Sequence, residues 1–348
     1  MKAMILAAGV GSRLDPLTRN LPKPMVPIVN KPVMEHIVEL LARHGFTDIM
    51  VNLYYLGDQI QSYFGNGEKW GVNIQYSMED RLWGDAGSVK RCEEFFDDTF
   101  LVIGADDLAD IDLTRLVRVH KEKNAAATIA LSIVDDPSEY GIALINEGDR
   151  VVRFVEKPRR EVFSNTANTG VYVFEPEILE LIPRGVEYGL GKHLLPFLLQ
   201  QKRRFNGHLT ASYWSDVGNM KQYQQTHYDV MDGRVSIDLP HLQVKKHDWR
   251  GQNVTIDPSA EIGYPVMIGN NCRIEKGARL LEYSVLGDDC VLEKGACVTR
   301  SILWHGASVM KDTMLERCVV GTGCRVQSNA AVFDGVIVDP VRHNGESG

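Results

Sequence analysis

No stretch of this 348-residue chain is apolar for the roughly 20 residues that a bilayer-spanning helix requires. The apolar run at residues 3–10 is too short for a secretory signal and is broken at once by Gly-Ser-Arg, so the expected compartment is the cytoplasm and no membrane partner is expected. The six cysteines include no C-x-x-C pair, and five of them lie between Cys272 and Cys324, a pattern that suits neither a zinc cluster nor a disulfide framework. Basic residues are outnumbered 46 to 38, and the resulting net charge of −8 disfavours nucleic acid as a partner. Apolar content of 44% is ordinary, and the length suits roughly two domains with buried cores.

Against that acidic background, residues 1–31 carry five basic side chains (Lys2, Arg13, Arg19, Lys23, Lys31) and one acid, Asp15. Residues 3–27 read AMILAAGVGSRLDPLTRNLPKPMVP. An apolar strand runs into Gly9 and Gly11, whose bare backbone can approach phosphate oxygens, and Arg13 and Lys23 follow with positive charge. A dinucleotide-binding fingerprint would need a third glycine and an immediate helix, but position 14 is Leu and Pro16, Pro22 and Pro24 exclude the helix. The spacing of a Walker loop is absent as well. A nucleoside triphosphate is the ligand this combination suits, with a structural turn as the bland alternative.

Through about residue 235, strand-like runs at 2–7, 48–54, 99–104, 126–134 and 151–155 alternate with helix-like segments such as 32–44. Val33, Ile37, Leu40 and Leu41 form one apolar stripe on that helix. The alternation predicts an α/β fold, a Rossmann-like mixed and mainly parallel sheet with helices on both faces, binding ligand beyond the strand C-termini. The pattern then changes. Ile256, Ile262, Ile268, Ile274, Leu280, Leu286, Leu292 and Val298 recur every six residues, resume after a slip at Leu303, Val309 and Leu315, and after another at Val320, Val326, Val332 and Val338. Small residues such as Cys272, Ala278 and Cys290 stand two places upstream, which is the form of a parallel β-helix of hexapeptide repeats. The expected organisation is a catalytic domain at 1–235, a linker at 236–252, the β-helix at 253–340 and a tail at 341–348. An open β-helix end with flat flanks favours a homo-oligomer.

The strand at 99–104 runs into Asp106 at the rim where such sheets bind ligands, making it a candidate Mg²⁺ ligand, with Asp107 as the neighbouring choice. Asp216 in YWSDVG is the second candidate acid. Phe154-Val155-Glu156-Lys157-Pro158 throws two charged side chains off a strand end, and Asn168-Thr169-Gly170 offers groups of the kind that read sugar hydroxyls.

The order of these motifs (LAAGVGSRL with PLT and PKPM, LWGDAGSVK, the strand ending in Asp106, YG at 140–141, FVEKP, NTGVY and WSDVG) resembles the sugar-1-phosphate nucleotidylyltransferases, and FVEKP looks most like their mannose-1-phosphate guanylyltransferase members. The resemblance covers residues 1–235, and the hexads look like the left-handed β-helix that many members append. It implies transfer of a nucleoside monophosphate from an NTP to a hexose-1-phosphate, with Mg²⁺ as cofactor. Nucleotide contacts would come from Leu6, Ala8, Gly9, Gly11, Arg13, Glu79, Leu82, Gly84 and Gly87, the loop 82–87 wrapping the base. Lys23 would lie beside the α-phosphate, and Lys157 would neutralise the sugar phosphate. Gly141, Glu156 and Asn168 would form the sugar pocket, and Asp106 and Asp216 would share the metal.

Asp85 stands where many relatives have Thr, Trp83 is bulky, Asn219 replaces a common Thr, and the segment 189–193 lacks a common acid, so the base and sugar are what these departures leave open. Guanine offers adjacent N1–H and N2–H₂ donors to one carboxylate, and the acids Glu79, Asp80 and Asp85 make GTP with mannose-1-phosphate the favoured pair. UTP or dTTP with glucose-1-phosphate is the rival. Two other classes were weighed: a β-helix acyltransferase using His305 as base, and an inactive sugar-nucleotide sensor, against which the retained metal pair argues.

Overall fold

The computed structural model describes residues 1–158 and 162–339; the tail read at 341–348 lies outside the described residues. The chain forms two compact units, one of residues 1–10 with 37–216 and the other of residues 11–36 with 217–348.

The first unit is built on a mixed sheet. Its strands are β1 (Lys2–Leu6), β2 (Asp48–Leu53), β3 (Asn73–Met78), β4 (Phe100–Gly104), β6 (Ala127–Ile133), β7 (Gly141–Ile145), β8 (Val151–Glu156), β9 (Thr166–Phe174) and β10 (Phe205–Leu209). They run in the order β8-β7-β9-β4-β1-β2-β3, with β6 pairing both β9 and β10. β4, β1, β2 and β3 are mutually parallel, and β9 is antiparallel to β4 and β6. Each strand predicted from the sequence is present within a residue or two. A separate ribbon joins β5 (Asp107–Ala109) to β11 (Trp214–Asp216). One apolar face, including Met4, Phe100, Val102, Ile129 and Phe174, packs beneath the short helix α3 (Asp85–Arg91) and the segment that ends in the helix Leu195–Gln200. Burial of such side chains, at about 1.5–3 kcal/mol each, is what holds the strand ends in place.

In the second unit, strands of two or three residues stack in parallel into three sheets of six, five and five strands, and one antiparallel strand of four residues extends the first to seven. Asn253, Asn271 and Asp289, each at positive φ, fall at the same corner of successive coils, and their side chains hydrogen-bond up the stack at 18-residue spacing. The hexad aliphatics from Ile268 to Val326 are buried inside, with Cys272, Cys290 and Ala278 as compact filler. One position is corrected. The last strand is Val336–Ile337, so Ile337 and not Val338 packs on the core. The cause is coil length: Leu286, Leu303, Val320 and Ile337 are 17 residues apart, so each late coil lacks one corner residue. The hairpin Leu242–Lys245 with Asp248–Arg250 begins the seven-stranded sheet.

Candidate active site

Where β1, β2 and β4 end, the sheet opens into a cleft of about 530 Å³, floored by Leu6, Asn52 and Gly104 and rimmed by Ala8 and Gly9. It lies beyond the C-termini of parallel strands, as the sequence pattern predicts. Of the residues assigned to the nucleotide, Leu6, Ala8, Gly9, Glu79, Leu82 and Gly84 all line it, together with Asp106 of the metal pair.

Glu79 follows β3, and its backbone N–H is held by Leu53 O at 2.8 Å. Its Oε1 accepts from Asn52 Nδ2 at 2.9 Å, and Asn52 Oδ1 in turn accepts from Ala7 N at 2.8 Å, which fixes the orientation of the amide. Glu79 is only 8% exposed and its Oε2 has no partner. A buried carboxylate oxygen left bare costs about 1–3 kcal/mol, a cost a ligand donor would remove. Asp80 is drawn elsewhere: it accepts from Trp83 Nε1 at 2.9 Å, while Arg81 and Arg91 lie over the Trp83 ring. The three acids grouped in the sequence are thereby separated, with Glu79 and Asp85 alone facing the cleft.

Gly84 and Gly87 serve the backbone. Gly84 has φ +72°, and a Cβ there would sit 2.7 Å from Tyr188 O; Gly87 N donates to that same carbonyl at 2.8 Å, and Tyr188 N donates to Trp83 O. The loop 82–87 is therefore laced to residues 186–190.

At the other end of the cleft, β4 delivers Asp106 and Asp107. Their carboxylates lie against Gly104 and Gly170, where any Cβ would approach within 3.1 Å. The β5–β11 ribbon sets Asp216 directly opposite Asp107, one residue from Asp106. The backbones of Asp106 and Asp216, 110 positions apart in sequence, are thus brought to one corner of the first unit. Among the described residues no group of three or more His, Cys, Asp or Glu gathers as a metal cage. One or two carboxylates are what Mg²⁺ takes when phosphates and water complete its shell, so the donor set fits.

Glu156 ends β8 opposite Gly141 in the antiparallel register. A Cβ at Gly141 would lie 2.6 Å from Glu156 Oε2, and Gly191 leaves no room for one either, so the carboxylate rests in a slot between two glycines. Burial pushes its pKa up, and nearby Asp85 adds to the rise while Lys157 opposes it. Lys157 sits at φ +43° with its N–H on Tyr140 O. Asn168 Oδ1 accepts from Gly170 N at 3.1 Å and its Nδ2 donates to Tyr172 OH at 2.7 Å, which tightens the wall of the cleft.

Gly11, Arg13 and Lys23 belong to the second unit. Gly11 has φ +72°, and a Cβ there would meet Lys23 Cβ at 2.8 Å, so glycine lets the turn fold onto the lysine. Lys23 is buried and Arg13 is exposed. The proline-rich segment pairs part of its backbone in the 3-10 turns Ser12–Leu14 and Lys23–Met25 and in a hairpin at 27–32, and takes further bonds from the rest of its unit. Pro27 O accepts from Tyr223 OH at 2.9 Å and from His227 Nε2 at 3.2 Å, Tyr223 OH accepts from Trp304 Nε1 at 2.9 Å, and Asn30 Nδ2 donates to Leu286 O at 2.8 Å.

The sequence reading missed Asn52, Tyr172 and Glu187, which also line the cleft. Asn52 alone left a signal, as a polar residue ending an apolar strand.

The family profile described as Nucleotidyl transferase matches residues 2–233, and that described as EIF2B subunit epsilon LbH domain, a left-handed β-helix, matches residues 245–342. The chain is similar to a UTP–glucose-1-phosphate uridylyltransferase of Synechocystis, 39% identical over 367 aligned positions that cover 99% of this chain and 94% of the relative. It is also similar to a mannose-1-phosphate guanyltransferase of Candida albicans, 36% identical over 272 positions covering 75% of this chain and 73% of that protein. Among solved structures, one described as a candidate glucose-1-phosphate thymidylyltransferase of Bacillus anthracis in complex with sucrose superposes with a TM-score of 0.60 at 30% identity, covering 66% of this chain and 94% of that one. Fold, motifs and relatives agree: the chain belongs to the nucleotidyl transferase family and is a sugar-1-phosphate nucleotidylyltransferase.

Proposed function

We propose that the enzyme transfers GMP from GTP to mannose-1-phosphate, giving GDP-mannose and pyrophosphate. The observation that carries the choice of base is the bare Glu79 Oε2. A guanine edge brings N1–H and N2–H₂ to a carboxylate together, whereas the single N3–H of uracil or thymine is flanked by carbonyls that the charge repels. In this reading the hexose phosphate oxygen attacks the α-phosphorus in line, the bond to the β-phosphate breaks, and pyrophosphate leaves. Two anionic reactants must approach, so Arg13, Lys23 and Lys157 serve as counter-charge and stabilise the charge of the transition state. Asp106 and Asp216 would hold Mg²⁺, which when bound neutralises phosphate charge. Gly141, Glu156 and Asn168 would seat the sugar. Residues 1–235 would act as the catalytic domain and 253–340 as the β-helix, in a homo-oligomer of the cytoplasm; the stretch 236–252 between them is more than a linker, since Asp248–Arg250 already pairs with the β-helix strand Val266–Ile268.

A second reading, UTP with glucose-1-phosphate, is favoured by the Synechocystis uridylyltransferase, which this chain matches almost end to end. Pyrophosphate release measured across four nucleotides and both hexose phosphates decides. The first reading expects GTP with mannose-1-phosphate to exceed every other pair by about tenfold or more in kcat/KM. A preference for UTP and glucose-1-phosphate would install the second. Lys23→Ala and Asp106→Asn should each lower turnover by about tenfold or more with the fold intact. Near-native rates in both would overturn the roles given to them.

A further inference from the structure

Asp85 does more in this fold than end a loop. It opens α3, and both of its hydrogen bonds fall on Oδ1, from Ala86 N at 2.9 Å and from Leu190 N across the chain. Those two bonds need only an oxygen, which a neutral side chain would supply as well.

The carboxyl instead lies beside Glu156, and burial pushes its pKa up as it does that of Glu156. The segment 189–191 lies between the two acids: a Cβ on Gly189 would touch Asp85 Oδ1 at 3.5 Å, and Gly191 makes way for Glu156 Oε2 on the other side. Tyr172, buried in the wall of the same cleft, feels both charges. Asp85 lines that cleft. Two buried carboxyls on either side of one strip of backbone are each costly to ionise, and hydrogen-bond donors placed on both would offset that cost. Lys157 is the cation that offsets Glu156, while His193 faces Asp85.

We propose that Asp85 is a second sugar-reading carboxylate, which acts with Glu156 so that two hydroxyls of the hexose phosphate each donate to one acid. The loop that carries it then reads the sugar from its Asp85 end and the nucleotide from its Leu82 end. Asp85 is in these terms a specificity-determining residue, and the ligand class it selects is a hexose-1-phosphate with free hydroxyls on the face turned to α3. The inference rests on the sugar-1-phosphate reading of the site but not on which base or hexose is used.

The test compares the wild type with Asp85→Asn, which keeps an oxygen for both backbone N–H groups, and Asp85→Thr, with thermal unfolding to confirm the fold of each. Kinetics use whichever NTP and hexose-1-phosphate the enzyme turns over best, plus the series of monodeoxy hexose-1-phosphates. Asp85→Asn should raise KM for the hexose phosphate by about tenfold and leave KM for the nucleotide within about twofold. One deoxy analogue should cost the wild type about tenfold and the variant almost nothing, because the lost hydroxyl and the lost charge are partners. A purely structural role would move both KM values, or would leave every deoxy penalty unchanged in the variant. Either result overturns the proposal, as would native KM values in both variants. Should no pair be turned over, the enzymatic reading fails by itself, and calorimetric binding of mannose-1-phosphate and glucose-1-phosphate to the wild type and Asp85→Asn then decides the role of Asp85. Weaker binding to the variant supports it, and equal or absent binding refutes it.

Discussion

Acid should loosen the second unit through two buried imidazoles. His227 is fully buried on the helix Met220–Met231, where Nε2 meets Pro27 O at 3.2 Å and Nδ1 meets Val29 N at 3.4 Å. That pairing requires the neutral tautomer with its proton on Nε2. His36 contacts Ile28 O through Nε2 at 3.1 Å, and its Nδ1 has no partner. Burial holds the His227 imidazole down at about 3 and that of His36 at about 4, against 6.5 in the unfolded chain. Lys31 depresses His36 further, Glu35 and Asp238 pull it up, and each imidazole would repel the other once charged. The folded state therefore binds fewer protons than the unfolded one below pH 6.5, and stability present above that value is lost as pH falls toward the folded values. At about 1.4 kcal/mol per pH unit, each histidine costs about 2 kcal/mol near pH 5, and the pair about 4 kcal/mol. Urea unfolding at a series of pH values between neutrality and pH 5, with amide exchange along residues 220–231, measures this loss. The double variant His36→Gln/His227→Gln should lose most of the slope that these residues supply. A slope as steep in the double variant as in the wild type would show that carboxylates elsewhere, and not these imidazoles, govern acid sensitivity.

Gly191→Ala should push Glu156 out of its slot and raise KM for the hexose phosphate by about tenfold or more, the worth of a charge-assisted hydrogen bond, with nucleotide KM unmoved; equal KM values in variant and wild type would dismiss the slot. Because burial and Asp85 raise the Glu156 pKa, KM for the hexose phosphate should fall as pH rises through a midpoint above the ordinary 4.5, and Asp85→Asn should bring that midpoint down. A midpoint that the Asp85 substitution leaves in place would disprove the coupling. Glu79→Gln, which replaces the bare oxygen's charge, should raise nucleotide KM by about tenfold and leave hexose phosphate KM alone; competition binding with GTP reads it directly, and undiminished GTP affinity would remove Glu79 from base recognition.

The β-helix was almost fully written in its hexads, because each coil satisfies the same constraint locally: one aliphatic and one small side chain inward per face. Two of the three shortened coils showed as slips in the series; the third, between Val332 and Ile337, did not, and so Val338 was placed where Ile337 stands. In the catalytic unit, motifs that end strands were legible because strand ends are where a parallel sheet binds. Leu6, Glu79 and Asp106 gather in the cleft from three separate stretches. Gly87, read from the sequence as a ligand contact, also makes a backbone clasp with Tyr188, which no single sequence carries. Asn52 and Tyr172 act through partners 27 and 4 residues away, Glu79 and Asn168, and only tertiary structure shows which groups those bonds spend and which they leave.

The segment 11–36 shows the same limit from the other side. Its prolines exclude an α-helix; two 3-10 turns and the hairpin at 27–32 satisfy part of its backbone, and the groups left over must find partners elsewhere or stay bare at a cost. They find them in Tyr223, His227 and the β-helix carbonyl of Leu286, two hundred or more residues away for His227 and Leu286 and nearly so for Tyr223. Trp304, itself on a β-helix coil, donates to the same Tyr223 hydroxyl that donates to Pro27. Residues 27–30, just after Lys23, are thus held by the helix Met220–Met231 and a β-helix coil. A hexapeptide-repeat domain that looks like a mere appendage in the sequence therefore shares, through Leu286 and Trp304, in holding the segment that follows the lysine, with the helix Met220–Met231 making the larger part of the contact.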